Sequence, residues 1–427
     1  MGSTLTTVAA FLKNYYDQNT VASQVAQADP WLDKLVKGCV TISGAPWTAP
    51  LLDRVPQGHG ATRALAQAGA NQALGGNIGG VSWVVPIGDF KSSVVLDDKV
   101  LAICRDPAAY IDDRKREVDE LIDGFGRAMG AFVQGESGHS LGYGTIGGSG
   151  VCTLSVPSDI VKFEPGQILV VSANDGTSTG HTLISASGAG YVVAVNYQAG
   201  TFTVSATSGG AGGTPTNWTG TMYFFRNGDF GGDTTPNRIL MGYGAWVPYL
   251  DPGATAFEGV VRNTGNVTAR SGFRLTIAQV AGMTIAQRLK TLVTGMKTLG
   301  WGPPSDLFLN PFKWQVLADE LEGRSRRDAT TKATAGYFGF PAISLVTSAG
   351  EIPVWASNYT PIDACYAPNF KYVALGTPDG RAGFPKIMNG DGQTLLRNAT
   401  DDGYEVRLVC YPGHLIRAPG SCGRCPV

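Results

Sequence analysis

Between Pro107 and Gln134 helical spacing runs unbroken, and this constrains the chain more than any other feature. Val118, Leu121, Ile122, Phe125, Met129 and Phe132 recur at steps of three and four. Pro107 suits a first-turn position. At 1.5 Å per residue such a helix is about 40 Å long. Gly124, Gly126 and Gly130 lie inside it, each costing up to about 1 kcal/mol of helix propensity. They lead to the expectation that another backbone crosses closely there.

On either side the texture changes repeatedly. Residues 4–28 have a helical face through Val8, Phe11, Leu12 and Tyr15, and Asp29-Pro30 should end that helix. Residues 56–80 show no period and read as a long loop or extended arm; such loops are uncommon within a compact domain. Strands are expected at 81–87 and 91–96. Residues 151–226 lose all helical period and give hairpin signals, such as Gln198-Ala199-Gly200 between two alternating runs. This stretch reads as a small β-barrel or sandwich. Helices follow at 276–299 and 312–322, with a buried strand at 306–310 and strands at 342–347, 352–356, 371–376 and 404–411. Helices and strands are segregated, so the fold class is α+β.

Composition narrows the function. Charged residues are 16% of the chain, and Gly accounts for 58 of 427 residues; ordinary soluble domains hold about 25% charge and about 7% Gly. A sparsely charged surface fits a chain covered by copies of itself, although turn-rich β structure also collects glycine. With 33 basic and 34 acidic residues, the chain is neither a nucleic-acid condenser nor an acidic tail. No run approaches about 18 apolar residues, so no membrane helix is expected. Residues 1–10 lack the basic start and apolar block of a signal peptide.

Catalytic signatures are sparse. Gly142-x-Gly144-x-x-Gly147 has the spacing of a dinucleotide loop, but a helix precedes it and a strand follows, the reverse of what pyrophosphate binding requires. His59, His139, His181 and His414 have no ligand-like partner within four residues. Cys422-x-x-Cys425 lacks the second pair or histidine that a zinc site needs. No enzyme, cofactor or metal is therefore expected. The basic cluster Arg324, Arg326 and Arg327 is either a solvated loop or a contact, to another subunit or to nucleic acid.

Four stretches carry a resemblance. FKSSVVLDDKVLAICRDPAAYIDDRKREVDELIDGFGRAMGAFVQGESG (90–138), ILMGYGAWVPYLDPGATAFEGVVRN (239–263), PPSDLFLNPFKWQVLADELEG (303–323) and YEVRLVCYPGHLIRAPGSCGRCPV (404–427) occur in that order. Together they resemble the major capsid proteins of tailed double-stranded DNA bacteriophages, the Hong Kong 97-type fold. The resemblance covers residues 1–150 and 226–427. It implies an N-terminal arm (1–55), an extended loop (56–90), a peripheral domain with a spine helix (91–150), an all-β insertion domain (151–226), peripheral domain again (227–275), an axial domain (276–375) and peripheral C-terminal strands (376–427).

The same resemblance implies a non-enzymatic virion component, assembled in the host bacterial cytoplasm. It would self-assemble through pentamers and hexamers into an icosahedral head around packaged double-stranded DNA. A separate scaffolding protein, a portal and a decoration or cement protein are its implied partners. Residues 56–90 contain no lysine, so the lysine–asparagine welding of some members has no donor in that loop. On the axial placement, Arg324, Arg326 and Arg327 gather near a capsomer axis, with Glu320 and Glu322 of a neighbour as the favoured partners. The alternatives are an encapsulin-like compartment shell holding cargo enzymes, and an enzyme whose β-insert binds carbohydrate.

Overall fold

The computed structural model describes residues 18–27, 29–52, 61–63, 81–97, 107–135, 140–173, 188–229, 240–254, 256–299, 301–325, 342–387, 396–397 and 403–427. Helices and strands are both present, as an α+β chain requires. They fall into two compact units. One comprises Met1–Ala45, Ile87–Gly130 and Leu375–Gly413; the other comprises Pro46–Pro86, Ala131–Ala374 and His414–Val427.

In the first unit, α1 (Gln18–Ala26) is followed by α2 (Pro30–Lys37). Asp29-Pro30 thus starts a helix as well as following one. The Asp29 carboxylate accepts from the Trp31 amide at 3.0 Å, and Pro30 occupies the first helical position, where no amide is needed. Helix α3 spans Pro107–Gln134, the bounds read from its periodicity; its residues to Gly130 belong to this unit and Ala131–Gln134 to the other. Val118, Ile122, Phe125 and Met129 are buried along one face. Phe125 packs on Phe90, with centroids 4.7 Å apart, and on Phe384 at 6.2 Å. The sheet here centres on Gly403–Cys410. It pairs along its whole length with antiparallel Phe90–Asp97, and with the short strands Lys386–Ile387 and Leu396–Arg397. The expected close crossing fails at Gly124, which is exposed; a Cβ there would meet nothing within 4 Å.

Besides the two-stranded ladders Trp47–Pro50 with Ser82–Val85 and Ala256–Phe257 with Val260–Val261, the second unit holds two larger β structures. The first is a closed six-stranded barrel. Its order is Thr221–Arg226, Gly142–Ile146, Val151–Leu154, Thr201–Ser205, Gly190–Asn196 and Ile168–Ser172. Alternate strand residues such as Phe202 and Phe224 fill it, together with Phe163 and Trp218 from the connections, with Phe163 stacked on Phe202 at 4.4 Å. The barrel starts earlier than residue 151, because Gly142–Ile146 pairs with strands on both sides. Gly144 in this strand is a packing glycine: a Cβ would lie 2.1 Å from the Thr153 carbonyl oxygen.

The second is a six-stranded sheet in the order Phe273–Arg274, Gly423–Pro426, Ala364–Ala367, Leu307–Leu309, Gly350–Ala356 and Ala342–Thr347. The short helices α4 (Tyr243–Trp246) and α5 (Val267–Ser271) precede it. Helices α6 (Ile285–Leu299) and α7 (Pro311–Ser325) cover it through Leu289, Leu292, Met296 and Leu317. α6 starts nine residues later than the 276–299 expected. Gly282, at φ +72, interrupts the chain between a single 3-10 turn and the helix. The 404–427 segment does not stay together: Gly403–Cys410 belongs to the sheet of the first unit, and Gly423–Pro426 to this one. Among the described residues, no helix is long and apolar enough to cross a membrane.

Candidate functional site

Of the candidate residues singled out by the sequence, Glu320, Glu322 and Arg324 lie on α7, and Glu320 reaches the start of α6. Asn310 caps α7 by accepting from the Phe312 amide at 3.2 Å, and Pro311 opens the helix. Leu317 is buried and Leu321 partly so against the sheet core. Trp314 donates its indole N–H to the Val354 carbonyl at 3.1 Å, fixing the rotation of the helix.

That rotation turns Glu320 toward α6. Its two carboxylate oxygens accept from the Ile285 and Ala286 amides, both at 3.1 Å. These are orphan donors at a helix N-terminus, where negative charge is favoured. Thr284 and Gln287 complete the end as a reciprocal capping box: the Thr284 amide donates to Gln287 Oε1 at 3.0 Å, and the Gln287 amide to Thr284 Oγ1 at 3.4 Å. Glu320 is therefore engaged within its own chain. Glu320→Ala should cost about 1–2 kcal/mol and lower the thermal midpoint, while Glu320→Gln should recover part of it. An unchanged midpoint in both variants would show that the cap carries no weight.

Arg324 lies in the last turn of α7, as does Glu322; Arg326 and Arg327 fall outside the described residues. The outer face of α7 is unusual for a solvent-facing helix. Phe312, Gln315, Val316 and Asp319 follow one another at i, i+3, i+4 and i+7, and all are exposed. Gln315 donates to the Asp319 carboxylate at 3.0 Å.

A buried polar hub is legible only in three dimensions. Gln134, the last residue of α3, donates to Ser357 Oγ at 2.8 Å and accepts from Thr360 Oγ1 at 2.7 Å. Asn310 donates to the Thr360 carbonyl at 3.2 Å, so the helix end, the loop after Gly350–Ala356 and the cap of α7 share one network. Beside it the chain returns from the barrel. The Gly244 amide donates to the Gly135 carbonyl at 3.1 Å. Gly242 lies so close that a Cβ would be 2.3 Å from the Gly135 oxygen and 2.5 Å from that of Phe132.

Several buried or half-buried groups among the described residues are displaced from their ordinary titration ranges, His414, Glu258 and Asp229 among them. His414 is fully buried, and its Nδ1 donates to the Met241 carbonyl at 2.7 Å. Desolvation outweighs that bond and lowers its pKa to about 4. Burial raises Glu258 to about 7 against the opposing pull of Arg262, and Asp229 to about 6 against that of Arg226. Cys365 and Cys425 are cross-strand partners in the core; burial pushes the Cys365 thiol well up. Among the described residues, no group of three or more His, Cys, Asp or Glu could hold a metal ion. His59, His139 and His181 lie outside them.

No protein-family model matches the chain, and no curated protein does. Solved structures do. The cyanophage A-1(L) capsid asymmetric unit matches at 12% identity and TM-score 0.48, over 93% of this chain and 91% of that one. The satellite phage P4 procapsid with its size-determination protein matches at 9% and 0.40, over 95% and 89%. The SrpI encapsulin complex of Synechococcus elongatus PCC 7942 matches at 12% and 0.24, covering only 33% of this chain and 48% of that one. At these identities and scores the likenesses assign no function.

Proposed function

We propose that this chain is a shell-forming major capsid protein of a tailed phage. The supporting observation is the order of elements along the chain. A 28-residue helix ends beside a closed barrel, and the chain re-enters the body against that same helix end through Gly242 and Gly244. Two helices over a mixed sheet follow. This is the order implied by the sequence resemblance, with the barrel as an insertion. The low charge content supports it independently, because a surface destined to be covered needs few charges.

On this reading, copies assemble through pentamers and hexamers around double-stranded DNA, with scaffolding and portal proteins supplied separately. Residues 324–327 lie at contacts between neighbours, where planar guanidinium groups engage carboxylates through paired hydrogen bonds. Because Glu320 already caps α6, Glu322 or a carboxylate elsewhere on the neighbour is the better partner.

The reading is tested by expressing the chain and examining it by sedimentation and negative-stain microscopy. Shells or capsomers are expected; only a lone 44.7 kDa species across salt and concentration would reject it. Nuclease-protected DNA in particles from infected cells separates a genome container from a cargo compartment. Arg326→Ala with Arg327→Ala should raise the concentration needed for assembly about tenfold, equivalent to about 1.4 kcal/mol per contact, with little change in subunit melting. Normal assembly with poor DNA packaging would instead place these arginines on nucleic acid.

A further inference from the structure

We infer that Cys365 and Cys425 form a redox latch, a thiol pair that closes to a disulfide and locks the strand Gly423–Pro426 into the six-stranded sheet. The latch stands apart from the shell reading and holds whether or not the chain assembles. The two residues lie directly opposite one another on antiparallel strands. Opposite residues in such a pair have Cα atoms about 4.5 or about 5.5 Å apart, and both spacings fall within the range a disulfide spans. Both side chains enter the core that also holds Leu292 and Met296 of α6, and the two thiols are hydrogen-bonding neighbours. Among the described residues, no other two cysteines are cross-strand partners.

Cys422 shows what the register selects. It lies three residues before Cys425, so strand alternation turns it to the opposite face, where its thiol meets the Tyr243 side chain. It does not compete for Cys365.

The closed sheet shields the pair. Both residues are fully buried. Burial, and then the adjacent Cys425 thiol, keep Cys365 protonated, whereas the thiolate is the attacking species. Reaction therefore waits for the strand to lift. Lifting it breaks the bond from the Val427 amide to the Asp363 carbonyl at 3.0 Å and that from Lys313 to the Val427 carbonyl at 3.3 Å. In the lifted strand, a small-molecule disulfide such as oxidised glutathione is the electron acceptor. One cysteine loses its proton, attacks a sulfur of the oxidant and expels one glutathione thiolate. The second cysteine loses its proton, attacks the resulting mixed disulfide at the protein sulfur and expels the other. The protein gives up two electrons and two protons, and the oxidant leaves as two thiols. The new bond joins positions 60 apart (425 − 365) and restricts the opened chain, so the strand returns to its place.

The test uses the full folded chain, incubated with oxidised glutathione a few degrees below its unfolding midpoint, where opening is populated. Free thiols are then alkylated and the peptides mapped. A Cys365–Cys425 linkage is expected, and the oxidised chain should melt about 5 °C or more above the reduced one. Reductant should reverse both changes. In Cys425→Ala the oxidant-dependent rise should disappear, whatever the variant's own midpoint. Alkylation of both thiols after oxidant treatment, linkage of either to a different cysteine, or a linked chain that melts no higher than the reduced one overturns the inference.

Discussion

Exchanging His414 for Gln should remove an acid-sensitive component of stability worth about 3 kcal/mol. The folded pKa is about 4, against roughly 6.5 in an unfolded chain. Between those values the unfolded state holds more protons, so this residue's contribution is complete above pH 6.5 and falls as the pH drops to 4. Two and a half units at 1.36 kcal/mol each give the figure. The wild-type curve alone hides it. Glu258, raised to about 7, and Asp229, raised to about 6, take up protons on folding and strengthen the fold over much of the same range. The informative quantity is the difference between wild type and His414→Gln in denaturant titrations at pH 7 and pH 4. Gln keeps a donor for the Met241 carbonyl. That difference should move against wild type by about 3 kcal/mol as the solution is acidified. A difference that does not change with pH would show that His414 titrates normally.

Two glycine-to-alanine exchanges should act in opposite directions. Gly242→Ala places a methyl group 2.3 Å and 2.5 Å from backbone oxygens at the end of α3. Backbone on both sides cannot yield as a side chain could, so a loss of roughly 3 kcal/mol or more is expected. Gly124→Ala meets nothing within 4 Å in an exposed helix interior, and should gain up to about 1 kcal/mol from helix propensity alone. Thermal melts of the two variants beside wild type decide this. A tolerated Gly242→Ala would mean that the return segment does not pack on the helix end.

These cases show what could be read from one dimension. Helix α3 was legible to the residue because its burial repeats at short, regular steps. The barrel was legible in its hairpins but not in its first strand. There Gly142 and Gly144 stood out only for a rejected dinucleotide-loop spacing, whereas Gly144 is needed for close approach to Thr153 and Gly142 lies against Leu154 and Asp159. Gly423–Pro426 carries no strand signal, since Gly and Pro disfavour sheets. It is a strand because neighbours on both sides supply its hydrogen bonds. Glu320 read as a partner for a neighbouring subunit's arginines because the amides it caps lie 35 and 34 positions earlier in the chain.

The placement of Gly423–Pro426 also sets an order of events. Phe273 pairs with Gly423 across 150 positions (423 − 273). The barrel, closed by strands between Gly142 and Arg226, needs nothing beyond Arg226 to complete its hydrogen-bond ring. During synthesis the barrel can therefore fold early, while the six-stranded sheet stands open until the 423–426 segment emerges and slots between two waiting strands. Long-range pairing of this kind is slow. A nascent chain would thus carry a finished barrel beside an unfinished sheet, and α6 and α7 would lack their complete platform.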